Sequence, residues 1–324
     1  MRLCIGFPIT ILATPNAIMT VALFAIAAAT SALAGEPPPP ANFDVREIAP
    51  GNYVHYGSFD ERSPDNLGDN ANIGFIVGDK CVLAVDAGGS LPVGRALRQA
   101  IRRITPLPVC YVVLTHVHPD HFFGAAAFLD DHAQFLAHEN YPAQLAARSR
   151  SYLNSLQRDL GPAAAGSEIV RPTLLVAGRM ELDLGGRTVV VRAWPPAHTD
   201  DDLTVFDTPT RTLWVSDLLF VGHTPVIDGT IIGFLAVMKD LRVVAADHYV
   251  PGHGRSDLPW PEPLDAQQRY FTVILDETRA AIRGRKTIQQ ATDEVGLSEA
   301  GNWAAFDQFH RRNVTTAYAE LEWE

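Results

Sequence analysis

The order of apolar and polar residues predicts strands alternating with helices in the first half of the chain. The runs 72–77 and 81–85 flank a Gly-Asp-Lys turn, a pattern typical of a β-hairpin. Four apolar residues then recur at helical spacing behind a helix-start signal: Val93, Leu97, Ile101 and Ile104. The β-branched run 108–114 predicts a buried strand, and the runs 124–129 and 141–160 predict helices.

The second half is rich in short apolar runs and then becomes helical. Strands are predicted at 181–184, 188–194, 203–206, 212–215 and 248–250. Helices are predicted near 267–283, 288–295 and 303–322. This last part carries no cluster of metal-binding side chains, so we expect it to serve packing or oligomerisation.

Residues 1–34 differ in composition from the rest of the chain. Their only charged residue is Arg2, and an apolar run ends in the small residues 32–34. This is the pattern of a cleaved secretory signal, which predicts a periplasmic or secreted protein. A start at Met19, or a segment kept as the sole membrane anchor, are the alternatives. Residues 35–42 contain four consecutive prolines and predict a stiff linker.

Composition restricts the class of protein. Of 324 residues, 47% are hydrophobic and 19% charged, which is typical of a globular chain with a sizeable core. The net charge of −11 argues against a nucleic-acid partner, which needs a basic face. No Gly-rich dinucleotide or phosphate loop is present, so we expect no organic cofactor.

The segment Thr115-His-Val-His-Pro-Asp-His121 carries the strongest chemical signal. His116, His118, Asp120 and His121 place three imidazoles and a carboxylate within six positions. Imidazole and carboxylate are ligands that zinc accepts. Because the segment follows a predicted strand, a rigid scaffold can aim these side chains at one point.

Three further motifs follow predicted strands and supply the partners that this segment needs. His198 lies in Ala-His-Thr, Asp217 in Ser-Asp, and His253 in Pro-Gly-His-Gly. In this order the residues resemble the metallo-β-lactamase-fold hydrolases over about residues 42–253. The resemblance implies an αββα sandwich, an α/β (α+β) fold, over residues 43–260, with residues 261–324 as a helical C-terminal extension.

The resemblance also implies a site with two metal ions. His116, His118 and His198 would bind one zinc, Asp120, His121 and His253 would bind the second, and Asp217 would bridge them, with iron or manganese as alternative metals. A metal-bound hydroxide would attack the substrate, and Asp120 would orient it and return a proton to the leaving group.

The substrate class is less well defined. An aspartate at the position of Asp217 resembles lactonases and glyoxalase II rather than β-lactam-hydrolysing branches. Motifs such as Asn72-Ile-Gly-Phe-Ile-Val and Asp217-Leu-Leu-Phe resemble the quinoprotein relay system zinc metallohydrolases. That resemblance implies an exported protein with a quinoprotein dehydrogenase or cytochrome c pathway as partner. Our leading hypothesis is therefore an exported dizinc hydrolase of a small ester, lactone or thioester.

Several other residues are candidates for supporting roles. His223 follows Asp217 by six residues and is a candidate substrate contact. Asp86 is expected to hold a ligand histidine. The remaining histidines are expected at the surface or locally hydrogen-bonded: His55, His132, His138, His248 and His310. The three aspartates after His198, residues 200–202, are expected to cap the backbone or to be solvated, with support of a metal ligand as the alternative. Cys81 and Cys110 could pair after export, but we favour two small buried thiols.

Three alternatives to the exported dizinc hydrolase remain open. One is a metallo-β-lactamase or a lactonase or glyoxalase II-like hydrolase. Another is a mononuclear iron enzyme that oxidises persulfides, which the full second ligand set disfavours. The last is a metal-binding accessory protein without catalytic activity.

Overall fold

Two β-sheets packed face to face organise the part of the chain described by the computed structural model, which is residue 40 and residues 43–324. The predicted signal segment lies outside the described residues, as does the linker apart from Pro40. No helix of the described residues is long and apolar enough to cross a bilayer.

The first sheet has seven strands in sequential order. They are β1 (Arg46–Ala49), β2 (Asn52–His55), β3 (Ile73–Val77), β4 (Val82–Val85), β5 (Val109–Val113), β6 (Gln134–His138) and β7 (Leu174–Val176). The strands from β1 to β4 pair antiparallel, and those from β4 to β7 pair parallel. The parallel part brings the carboxyl ends of β4 and β5 to one edge, where the segment 115–121 begins.

The second sheet has five strands in the order β12-β11-β10-β9-β8. They are β8 (Arg179–Asp183), β9 (Thr188–Ala193), β10 (Leu203–Asp207), β11 (Thr212–Phe220) and β12 (His248–His253). Only the β11–β12 pair is parallel, so these two strands also end at a common edge.

Helices cover the outer face of each sheet. They are α1 (Leu91–Ile104), α2 (Pro119–Phe122), α3 (Tyr141–Leu160), α4 (Ile231–Arg242), α5 (Pro263–Arg283), α6 (Ile288–Glu294) and α7 (Phe306–Leu321). Short 3₁₀ segments span Phe123–Asp131, Gly161–Ala164 and Leu297–Asn302. Helix α1 begins where Ser90 Oγ accepts from the Val93 amide.

Three apolar layers hold the sandwich together. One packs α1 and α3 on the first sheet, and one packs α4, α5 and α7 on the second. The third lies between the sheets, where Leu83, Val205 and Trp214 are buried. Each layer removes one apolar face from water, which is why both sheets need helices outside. The predicted αββα fold class and the C-terminal helices are confirmed.

Some elements follow from the sequence pattern and others do not. The predicted hairpin is β3–β4, and the helix predicted after it is α1. The sequence analysis missed β1, β2, β6, β7, α4 and the short α2. Strand β6 is flanked by parallel neighbours on both sides, so its residues 135–138 are buried in succession and show no alternation.

Cys81 and Cys110 form a disulfide, with their Cα atoms 5.8 Å apart. The expectation of two free thiols is therefore wrong. Its physical reason is a register shift in the parallel β4–β5 pair. Val82 lies opposite Val109 but Leu83 lies opposite Tyr111, so Cys110 is the extra residue of β5 and comes close to Cys81.

A buried ion pair joins the two sheets at the end away from the histidines. Arg187 donates to both carboxylate oxygens of Asp207, at 2.8 and 2.6 Å, and also to the carbonyls of Pro50 and Val77. Asp207 further accepts from Asn52 at 2.9 Å. Burial raises the pKa of Asp207, but these donors outweigh it and lower the pKa.

The variant Asp207→Ala should lower the free energy of unfolding by about 3–5 kcal/mol, because it leaves the guanidinium of Arg187 buried without its counterion. The matched control is Asp247→Ala, which removes the exposed pair with Arg211 and should cost about 1 kcal/mol or less. Urea unfolding measures both, and equal losses would contradict this account.

The disulfide closes a separation of 29 residues. Replacing both cysteines by alanine should lower the free energy of unfolding by about 3–4 kcal/mol, because the unfolded chain regains the entropy of the open loop. Dithiothreitol should destabilise the wild type by a similar amount and leave the double variant unchanged. A wild type indifferent to reductant would show that the bond does not stabilise the fold.

Candidate metal centre

Seven side chains from five chain segments meet at the sheet edge where β5, β11 and β12 end. His116 and His118 follow β5, and Asp120 and His121 belong to the short helix α2. The others are His198 between β9 and β10, Asp217 within β11, and His253 at the end of β12.

The first group consists of His116, His118, His198 and Asp217, whose ligand atoms all lie within 4.8 Å of one another. Nε2 of His198 is 2.9 Å from Nδ1 of His118 and 3.3 Å from Oδ2 of Asp217. Nε2 of His116 is 3.6 Å from the same carboxylate oxygen. Three nitrogens and one oxygen therefore surround a common point.

The second group consists of Asp120, His121 and His253, again within 4.8 Å of one another. Nε2 of His253 is 3.5 Å from Oδ2 of Asp120. Asp217 also reaches this group, with 3.2 Å from its Oδ1 to Nε2 of His121 and 3.5 Å from its Oδ2 to Nε2 of His253. One carboxylate thus faces both groups.

Unpartnered polar atoms test whether metal ions fit here. Nε2 of His116, Nε2 of His121 and Oδ1 of Asp217 are buried and have no hydrogen-bond partner among the described residues. Buried polar atoms are nearly always paired, so three unpaired ones facing each other indicate a missing partner. Nitrogen and carboxylate donors are what zinc and related ions take. The fold and the cluster are compatible with a dinuclear metal site.

Electrostatics favour a cation at this point. Burial lowers the pKa of His198 to about 4 and, with neighbouring His121, lowers that of His116 well below its usual value. Both imidazoles are therefore neutral, the form that binds metals. Burial acts against ionisation of Asp217, but His121 and the other histidines outweigh it and hold its pKa well below the usual value.

Two of the metal-facing imidazoles are aimed by a hydrogen bond at their other nitrogen. His121 Nδ1 donates to Asp86 at 2.8 Å, and His198 Nδ1 donates to the Val226 carbonyl at 2.8 Å. Asp86 also accepts from the amide and the hydroxyl of Thr115, both at 2.8 Å. The expectation that Asp86 holds a ligand histidine is confirmed, and such partners fix ring orientation.

The approach of β11 to β12 requires glycine beside the shared carboxylate. A Cβ on Gly252 would collide with Oδ1 of Asp217. Asn72 secures the same turn, since its side chain donates to the carbonyls of Pro251 at 2.9 Å and Gly254 at 2.6 Å. The hairpin of the first sheet thereby positions His253.

A cavity of about 620 Å³ opens onto the cluster. Four side chains of the cluster line this cavity: His118, Asp120, Asp217 and His253. His223 also lines it. The side wall includes residues that the sequence analysis did not single out: Arg148 and Tyr152 from α3, Asp228, and Phe309 and Arg312 from α7. The last helix therefore lines the site in addition to packing, which the expectation for the C-terminal part missed.

A family model described as the metallo-beta-lactamase superfamily matches residues 67–290. The chain belongs to that superfamily. No curated protein matches it in sequence. The family match and the His/Asp cluster together support a metallo-beta-lactamase-fold hydrolase.

Solved structures of the superfamily share the fold. A stereoselective inverting sec-alkylsulfatase from Pseudomonas sp. superposes with a TM-score of 0.67 at 14% identity, over 86% of this chain and 50% of its own. This chain thus spans about half the length of that enzyme. A metallo-beta-lactamase from Pontibacter korlensis superposes with a TM-score of 0.56 at 17% identity, over 71% of this chain and 99% of its own. One from Hirschia baltica superposes with a TM-score of 0.55 at 14% identity, over 71% of this chain and 97% of its own.

His223 lies beside the second group of candidate metal ligands, next to His253. Its Nδ1 donates to the Thr224 carbonyl at 2.8 Å, which leaves the lone pair on Nε2. Its ring stacks on Phe220 and His253, and it is 5% exposed. Burial and the neighbouring His253 lower its pKa to about 4, so it is a neutral acceptor.

The expectation for the acidic residues after His198 is partly wrong. Asp201 and Asp202 are buried, and Oδ1 of each lies 2.7 Å from the hydroxyl oxygen of Thr199, so they are not solvated. The expected capping role holds for Asp202, whose Oδ2 accepts from the Thr199 amide at 2.9 Å. Burial raises the pKa of Asp201 to about 6. Of the histidines expected at the surface or in local hydrogen bonds, three are buried and hydrogen-bonded: His55, His138 and His310. His132 and His248 are exposed as expected.

The variant Asp86→Asn should lower metal affinity about 10–100-fold, because His121 loses the carboxylate that orients it. Asparagine tolerates the left-handed backbone of this position, where φ is 58°, so the fold is retained. Competition with a chromogenic chelator measures the affinity. The exposed Asp79→Asn serves as control, and an Asp86→Asn protein with the control's affinity would contradict the assigned role.

Proposed function

We propose that this protein is an exported dinuclear metal-dependent hydrolase with zinc as its metal. The observation that carries the proposal is the carboxylate of Asp217, which lies within 3.6 Å of histidines from both groups. His116, His118 and His198 would hold one ion, and Asp120, His121 and His253 the other. A lone ion would leave one of these groups without a partner.

The bound metals would supply an acidified water and a Lewis acid for the substrate. The residues of this chain supply the rest. Asp120 is 20% exposed and lines the cavity, so it is placed to orient the attacking water and to pass a proton to the leaving group. The neutral His223 offers Nε2 to a hydroxyl or amide of the substrate. The ring faces of Phe220 and Phe309 make one wall apolar.

We infer that the bond broken is that of an ester, lactone or thioester in a small molecule. The cavity volume of about 620 Å³ suits such a substrate. The signal pattern of residues 1–34 supports a periplasmic location, and so does the disulfide, since such bonds persist in oxidising compartments. The motif resemblance to quinoprotein relay hydrolases suggests service to a quinoprotein dehydrogenase or cytochrome c pathway.

Sulfate ester hydrolysis is a second candidate. The sec-alkylsulfatase superposes on 86% of this chain, whereas the two metallo-beta-lactamases superpose on 71%. Release of sulfate from a secondary alkyl sulfate, without turnover of carboxylic esters, would favour this candidate. Efficient turnover of nitrocefin would instead favour the β-lactamase reading.

In a hydrolysis screen of the zinc-loaded protein, Asp120→Asn should lower kcat by about 10²–10⁴-fold, because the amide cannot accept the proton. Metal content is measured alongside, so that lost metal is distinguished from lost proton transfer. The exposed Asp130→Asn should match the wild type. Full activity of Asp120→Asn would refute the assignment, and a wild-type protein that binds two ions yet hydrolyses nothing would refute the proposed function.

A further inference from the structure

A shared carboxylate links the cluster to two arginines of the cavity wall. Asp228 accepts from Nη2 of Arg312 at 2.7 Å and from Nη2 of Arg148 at 3.3 Å. Its Oδ2 also accepts from Nε2 of His118 at 3.2 Å. Two guanidinium cations thus face a single carboxylate, and one positive charge is left uncompensated there.

Both arginines keep donors for a further partner. Among the described residues, Arg312 uses only Nη2, and Arg148 uses Nη2 and the Nη1 that donates to Gln144. Their side chains are 54% and 29% exposed, and both line the cavity. Arginine cannot lose its charge in water, and its planar fork matches an oxyanion better than lysine does.

The same imbalance occurs once more along the cavity. Asp159 accepts from Nη2 of Arg62 at 2.7 Å and from Nε of Arg158 at 2.9 Å. Asp60 and Glu61 also line the cavity, are exposed, and directly precede Arg62 in the chain. Apart from Asp228, no carboxylate of the described residues lies within 4.0 Å of a side-chain nitrogen of Arg148 or Arg312.

We propose that the substrate carries an anionic oxygen group, a carboxylate or sulfonate, which binds to Arg148 and Arg312. This inference rests on the proposed hydrolase function and names its substrate class. Only the carboxylate of Asp228 separates the two arginines from His118 of the cluster, so the anionic group would bind beside the site where the bond is broken. Helix α7 thereby sets specificity, because Arg312 and Phe309 both come from it.

The test measures the hydrolysis of three aryl acetates by the zinc-loaded full-length protein. All three carry the acetyl ester para to a second group, which is a carboxylate in para-acetoxybenzoate, a sulfonate in para-acetoxybenzenesulfonate and a neutral methyl ester in methyl para-acetoxybenzoate. The wild type should prefer one or both anionic esters in kcat/KM. In Arg312→Gln and in the Arg148→Gln/Arg312→Gln double variant, the anionic-to-neutral ratio should fall roughly ten- to a hundredfold, because a charge-assisted hydrogen bond is lost.

Matched variants separate charge from structure. Arg311→Gln removes the neighbouring arginine of α7, which pairs with Asp293 away from the cavity, and should keep the wild-type ratio. Arg312→Lys should restore part of the preference, and added salt should weaken it. A ratio that Arg312→Gln leaves unchanged, or an equal fall in Arg311→Gln, would overturn the proposal.

A binding measurement makes the test independent of turnover. Calorimetry with para-hydroxybenzoate and para-hydroxybenzamide, on metal-free and zinc-loaded protein, should show tighter binding of the anion in both forms and a loss of that difference in Arg312→Gln. A second outcome is that the anion binds tighter than the amide only in the zinc-loaded protein, with the same difference in Arg312→Gln. That result would place the anion on the metals and overturn the proposal. A protein that shows the arginine-dependent preference but hydrolyses no ester would refute the proposed function alone.

Discussion

The buried carboxylate of Asp217 is the constraint on which the rest of the site depends. It lies between two groups of imidazoles and has an oxygen without a hydrogen-bond partner. A buried charge of this kind is stable only when opposite charge surrounds it. Strand β11 positions this carboxylate, and Gly252 has no Cβ that would collide with it. The segment after β5 places histidines around it. The two sheets therefore close around one anion.

The metal-facing residues were predictable because their chemistry is local in sequence. His116, His118, Asp120 and His121 occur within six positions of the chain. The remaining three lie in or directly beside strands of the second sheet, Asp217 within β11, His253 at the end of β12 and His198 between β9 and β10. Asp86 could be anticipated from its place at the end of β4.

The cavity wall could not be predicted in the same way. Arg148 and Arg312 lie 164 positions apart on helices whose polar faces look like any solvated surface, and only their common partner Asp228 marks them. The disulfide depended on the pairing register of β4 and β5, which periodicity does not determine. Burial of Asp201 and Asp202 likewise follows from tertiary packing around Thr199, because three aspartates in a row suggest solvent.

The most direct measurement of the central claim is anomalous diffraction from crystals of the zinc-loaded protein. The account predicts two zinc peaks, each contacted by one histidine group and both contacted by the carboxylate of Asp217. A single peak, or two peaks of which one does not touch Asp217, would contradict it.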